Sequence, residues 1–140
     1  MGMGGEGGGF LEVSEWRGDM LIFGGRLGGA PFDSHPDEAF AKVMDLNVRG
    51  VFNIVRECAP LLGKRGTIAD PSRVLITASV AGLGVGSLGE NGTYGYSASK
   101  AAAIHLGRNL AVELGPRHMY VLNSSLLRCV GILVWEQTTN

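Results

Sequence analysis

Apolar positions along this chain change period several times, and each change marks a predicted element. Met20 to Phe23 is a short continuous apolar run that fits a strand. From Phe40 the period becomes helical. Phe40, Val43, Met44, Val51, Ile54, Val55, Cys58 and Leu62 recur at helical spacing and predict one long helix to about Leu62. Ser34-His35-Pro36-Asp37 ahead of it fits a capping box, with Pro36 tolerated in the first turn, and Gly63 and Gly66 close the helix. Arg73 to Ala78 predicts a second strand, Gly82 to Gly95 a loop, and Tyr96 to about Leu114 a second long helix stopped by Gly115-Pro116. Met119 to Leu122 predicts a third, short strand. Val130 to Trp135 is strand-like but has no partner in the pattern.

Composition narrows the classes of function. Six glycines in the first nine residues leave little to bury, which predicts a disordered N-terminus. A chain of 140 residues that is 45% hydrophobic is long enough for one modest core. A net charge of −1 argues against a nucleic-acid partner or an anionic membrane surface. Arg49, Arg56, Lys64, Arg65 and Arg73 read as solvated charges. Cys58 and Cys129 form neither a disulfide framework nor a metal spacing, and His35, His105 and His118 are dispersed, so no metal site is expected. No apolar run approaches the ~20 residues of a membrane span. The glycine-rich start has no apolar signal segment, which points to the cytoplasm.

The strongest chemical pattern is Tyr96-Ser97-Ala98-Ser99-Lys100, with Ser79 upstream at the end of the predicted strand. On a helix, residues i and i+4 share a face, so Lys100 can approach the Tyr96 hydroxyl. A nearby ammonium in a partly desolvated cleft favours the phenolate, which suits an acid working near neutral pH. Taken singly, each residue has a plainer reading. A Tyr-x-x-x-Lys pair occurs on solvated helix faces, Ser79 alone reads as a turn serine, and Asn47 alone reads as a locally bonded helix residue. Order and context change the odds. Tyr94 lacks a cation at i+4, since Ala98 stands there. Ser97 and Ser99 flank the tyrosine on its own helix instead of facing it. Thr77 is the reserve hydroxyl.

Ile76-Thr77-Ala78-Ser79-Val80-Ala81-Gly82, followed by Tyr96-Ser97-Ala98-Ser99-Lys100, resembles the short-chain dehydrogenase/reductase family. Asp45-Leu46-Asn47-Val48-Arg49-Gly50-Val51-Phe52 is similar to that family's central helix, whose catalytic asparagine falls on Asn47. The wording looks closest to fungal 3-oxoacyl-carrier-protein reductases, including rhamnolipid-type ones, over roughly Asp19 to Val121. The resemblance implies reversible hydride transfer between NADP or NAD and a small carbonyl or secondary alcohol, with NADP the tendency of that branch. It gives catalytic roles to Asn47, Ser79, Tyr96 and Lys100. Tyr96 donates the proton, Ser79 stabilises the developing oxyanion, Lys100 acts on Tyr96 and holds the nicotinamide ribose, and Asn47 fixes a relay water. It also implies a homo-oligomer through the two long helices.

The implied fold is α/β, a partial Rossmann-like doubly wound parallel sheet lacking the first βαβαβ half. Gly2-Met3-Gly4-Gly5-Glu6-Gly7 and Gly84-Val85-Gly86-Ser87-Leu88-Gly89 fit G-x-G-x-x-G literally, but neither stands between a strand and a helix. Phe23-Gly24-Gly25-Arg26 occupies the place of the family's Asn-Asn-Ala-Gly motif. The Pro-Gly turn expected after the third strand is missing, and Tyr96 stands 17 positions after Ser79, more than is common in the family. The expected organisation is a disordered segment over 1–18, a partial domain over 19–124 and a divergent tail over 125–140, as in a truncated or mis-spliced gene product. Losing the first three strands would leave the family's fourth strand as a bare edge. Two classes of function follow: an NAD(P)-dependent oxidoreductase, or an inactive fragment or interaction module that pairs with full-length relatives.

Overall fold

The computed structural model describes residues 13–16, 19–22, 24–25 and 28–124. Strands β1 (Val13–Trp16) and β2 (Asp19–Ile22) come first, then helices α1 (Asp37–Met44) and α2 (Val51–Arg65), strand β3 (Ser72–Thr77), helix α3 (Tyr94–Leu114) and strand β4 (Met119–Ser124). Between α1 and α2, Asp45–Gly50 forms a π-helical segment whose flanking residues keep right-handed helical angles. The predicted long helix therefore runs unbroken from Asp37 to Arg65, passing through Gly63 and ending at Gly66.

The four strands form one sheet in the order β1-β2-β3-β4. β2, β3 and β4 are parallel, each joined to the next by a helical crossover, as expected of the α/β class. β1 is antiparallel to β2 and pairs Val13 with Ile22 and Trp16 with Asp19. This corrects two expectations. Val13–Trp16 is a strand and not part of a disordered N-terminus, and it covers the edge of β2 that would otherwise be bare. The strand-like run Val130 to Trp135 lies outside the described residues.

Register explains where the core sits. Ile22 lies beside Ile76, and Val74 beside Val121. Because side chains alternate, these residues share one sheet face with Met119. They pack with Val51, Val55, Ala59 and Leu62 of α2 and with Ala103, Leu110 and Leu114 of α3. The other face carries Tyr120 and Leu122, both exposed. α3 also meets β4 through a polar contact: Asn123 Nδ2 donates to the Ile104 carbonyl at 3.2 Å. Gly107 allows that approach, since a Cβ there would stand 2.7 Å from Asn123 Cγ.

Gly107→Ala should therefore destabilise the chain by about 1–3 kcal/mol in urea unfolding, because the Asn123 carboxamide must move off the Ile104 carbonyl to make room. Adding Asn123→Ala should recover part of that loss, as a non-additive double-mutant cycle.

Candidate active site

The C-terminal ends of β2 and β3 meet the π-helical segment and the first turns of α3. π-helical insertions are rare and cluster at functional sites. This one carries Asn47, which is fully buried. Asn47 Nδ2 donates to the Gly25 carbonyl at 3.0 Å and to Ser99 Oγ at 2.9 Å. Its Oδ1 is buried and has no partner. On the solvent side of the same segment, Arg49 and Asp45 form an exposed ion pair at 2.7 Å, worth only about 0.5 kcal/mol.

Ser79 stands two positions beyond the end of β3. Its backbone is extended, and its Oγ accepts from Ala81 N at 3.2 Å, capping a 3-10 turn over Val80–Gly82. That turn lies against α3 because Gly82 has no side chain: a Cβ there would stand 2.6 Å from the Lys100 carbonyl carbon. The Ser79 turn is thus held beside the stretch of helix that carries Lys100.

α3 begins at Tyr94, two residues before the predicted start. Tyr96 lies in its first turn, half-buried, beside a shallow depression also lined by His35, Val43 and Thr93. Lys100, one turn on, is 2% exposed. Its Nζ sits 5.7 Å from the centre of the Tyr96 ring and donates to the Thr77 carbonyl at 2.7 Å. The shared face expected of i and i+4 is present, but the hydrogen bond goes to the strand-end carbonyl and not to the Tyr96 hydroxyl. Burial pushes the Lys100 amine below its ordinary value of 10.5. The reserve candidate Thr77 contributes its carbonyl, while its hydroxyl is buried without a partner.

Three contributors were given no role by the sequence reading: Gly24 and Gly25, noted as a missing motif, and Ser99, set aside as flanking the tyrosine. The glycine pair stands where the family's asparagine motif was expected. It serves through its backbone, since Gly25 offers a carbonyl and Gly24 offers space. A Cβ on Gly24 would run into the Asn47 amide and stand 3.0 Å from Lys100 Nζ. Ser99 Oγ also donates to the Tyr96 carbonyl at 2.8 Å. Its only signal was its place three residues after the tyrosine.

The profile of the short chain dehydrogenase family matches residues 18–126. The chain belongs to this family. The rhamnolipids biosynthesis 3-oxoacyl-[acyl-carrier-protein] reductase of Pseudomonas aeruginosa is 40% identical over 104 residues, which are 74% of this chain and 40% of that protein. The Pseudomonas aeruginosa RhlG/NADP active-site complex superposes with a TM-score of 0.67 at 34% identity, covering 77% of this chain and 40% of that one. An NAD+-bound xylitol dehydrogenase gives the same TM-score at 26% identity, covering 76% and 38%. The chain thus spans about two fifths of the length of these relatives. The 3-oxoacyl-[acyl-carrier-protein] reductase that it resembles is bacterial, which corrects the expected fungal affinity.

Relatives in this family carry NADP or NAD in solved complexes. The residues gathered here fit the nicotinamide-ribose end of such a cofactor: a buried amine, a phenol on the same helix face and the unpartnered Asn47 oxygen. No described segment fits the pyrophosphate. The Gly24-Gly25 pair follows β2, but it packs on Asn47, and the next α-helix starts only at Asp37, behind Pro36 and a three-residue 3-10 turn over Phe32–Ser34. Among the described residues, no cluster of His, Cys, Asp or Glu could hold a metal ion, and no helix is long and apolar enough to cross a membrane.

Gly24→Ala should displace the Asn47 amide and cost about 2 kcal/mol of stability by overpacking. Gly28→Ala, with nothing within 4 Å of the added carbon, should stay within about 0.5 kcal/mol. Equal thermal shifts for the two would contradict the close approach.

Proposed function

We propose that this site is the nicotinamide-facing part of an NAD(P)-dependent oxidoreductase that interconverts a small carbonyl compound and its secondary alcohol, with 3-oxoacyl thioesters the favoured substrate class. The observation that carries the reading is the buried Lys100 amine, held at the end of β3 on the face it shares with Tyr96. Bound nicotinamide supplies or takes the hydride at its C4. The protein's residues supply binding and proton chemistry around that event.

Tyr96 gives its phenolic proton to the carbonyl oxygen during reduction and takes it back during oxidation. Ser79 Oγ donates a hydrogen bond to the same oxygen and stabilises the charge that develops there. The backbone N–H of Ala81 already donates to Ser79 Oγ, which leaves the Ser79 hydroxyl hydrogen free for the substrate. Lys100, when protonated, stabilises the phenolate and hydrogen-bonds the nicotinamide ribose. Asn47 Oδ1, buried and unpartnered, is the acceptor for a water that returns protons toward Lys100. The 40% identical acyl-carrier-protein reductase supports an acyl substrate, and the NADP complex from Pseudomonas aeruginosa supports NADP. Exposed Phe52 and Leu61 on α2 and Val112 on α3 support pairing of the chain with a second copy through these helices.

Purified chain is titrated with NADPH, NADH and reduced nicotinamide mononucleotide, read by nicotinamide fluorescence, beside Lys100→Ala. We expect saturable binding with a Kd on the order of a millimolar, within about threefold for all three ligands, and lost in Lys100→Ala. No binding at several millimolar, or binding unchanged by the substitution, would overturn the reading.

A further inference from the structure

Ser99 is fully buried, and its hydrogen bonds run in a fixed direction. A serine hydroxyl has one hydrogen, and Ser99 gives that hydrogen to the Tyr96 carbonyl at 2.8 Å. Toward any third group, Ser99 Oγ can then only accept. The group it meets is Asn47 Nδ2 at 2.9 Å. The other hydrogen of that amide goes to the Gly25 carbonyl at 3.0 Å, which also can only accept. With both amide hydrogens committed, Asn47 Oδ1 must face the remaining direction. That direction is the small space above Gly24, where Lys100 Nζ also lies.

We infer that Ser99 is a positioning residue that sets the orientation of the Asn47 carboxamide, so that an acceptor and not a pair of donors faces Lys100. The constraint passes through the carbonyl of Tyr96 itself, so the π-helical segment and the helix turn bearing the phenol are tied by one hydroxyl. A flipped amide would aim N–H groups at an ammonium and take away the acceptor assigned above to the relay water. Bonding of a helical serine to the carbonyl three residues back is common and by itself means little. The consequence here comes from what that bond leaves available at a buried asparagine with an orphan oxygen.

This inference rests on the proposed nicotinamide site for its meaning, but its test does not need the cofactor. Nuclear Overhauser contacts from the Asn47 side-chain amide protons are measured in the full chain and in Ser99→Ala and Ser99→Thr. The wild type should show contacts to the Ser99 Hβ and Gly25 Hα protons. Ser99→Ala, which leaves the Gly25 carbonyl as the one acceptor holding the amide, should let a flipped population appear, seen as added contacts from the amide protons to Lys100 Hε beside a weakened Gly25 contact. Ser99→Thr, which keeps the hydroxyl, should restore the wild-type pattern. Binding of reduced nicotinamide mononucleotide should weaken about fivefold in Ser99→Ala and recover in Ser99→Thr.

An unchanged amide pattern in a folded Ser99→Ala chain would overturn the inference, as would a flipped amide that leaves binding unaltered. If Ser99→Thr fails to fold, the alanine variant decides alone, since it only removes an atom. Failure of the wild type to bind any nicotinamide would overturn the proposed function and, with it, the role in binding, whereas the amide orientation is read separately.

Discussion

Lysine is almost never fully buried without a partner, and Lys100 sets the terms for everything around it. Its four-carbon stem lies inside the protein, and its amine meets the last carbonyl of β3 at 2.7 Å. One hydrogen bond leaves a buried amine with further donors, so the neighbouring atoms must be acceptors or the amine must give up its proton more readily. Both consequences are visible. Asn47 turns an oxygen into the adjoining space, and desolvation lowers the amine's proton affinity.

Backbone has to come close for this to work, and two glycines allow it. Gly24 leaves room over the Asn47 amide and the lysine, and Gly82 lets the turn after Ser79 rest on the helix backbone at Lys100. The π-helical segment adds the third requirement, by setting a fully buried Asn47 in a helix that otherwise follows an ordinary period. Strand ends, an irregular helix and two bare backbone approaches converge on one amine. This is also why an α/β sheet places polar chemistry at the carboxyl ends of its strands, where carbonyls are left over from the ladder.

Much of this was legible in the sequence. The helices followed from the spacing of Phe40 through Leu62 and from the glycine-proline stop after Leu114. The strands followed from their apolar runs and their parallel order from the family resemblance, and Asn47, Tyr96 and Lys100 are found together at one end of the sheet. What was not legible depended on distance along the chain. Val13–Trp16 spans only four positions, its two polar residues stand side by side instead of alternating with apolar ones, and it adjoins a glycine-rich segment, so nothing local marks it as a strand. Ser99 meets Asn47 across 52 positions, and no periodicity reports such a pair. Gly24-Gly25 looked like the loss of a motif, because a backbone carbonyl carries no sequence signature. The direction of the Lys100 amine, toward Thr77, was likewise set by the depth of the strand end and not by helix spacing.

The most direct test is the titration of Lys100 itself, followed by the chemical shifts of its ε-carbon and ζ-nitrogen in the intact chain and assigned by loss of the signal in Lys100→Met. A buried amine held on the Thr77 carbonyl predicts a midpoint below 10.5 and slow exchange of its protons with solvent. A midpoint at or above 10.5, with exchange as fast as that of surface lysines, would contradict the account, because the group on which the site is built would then be in water.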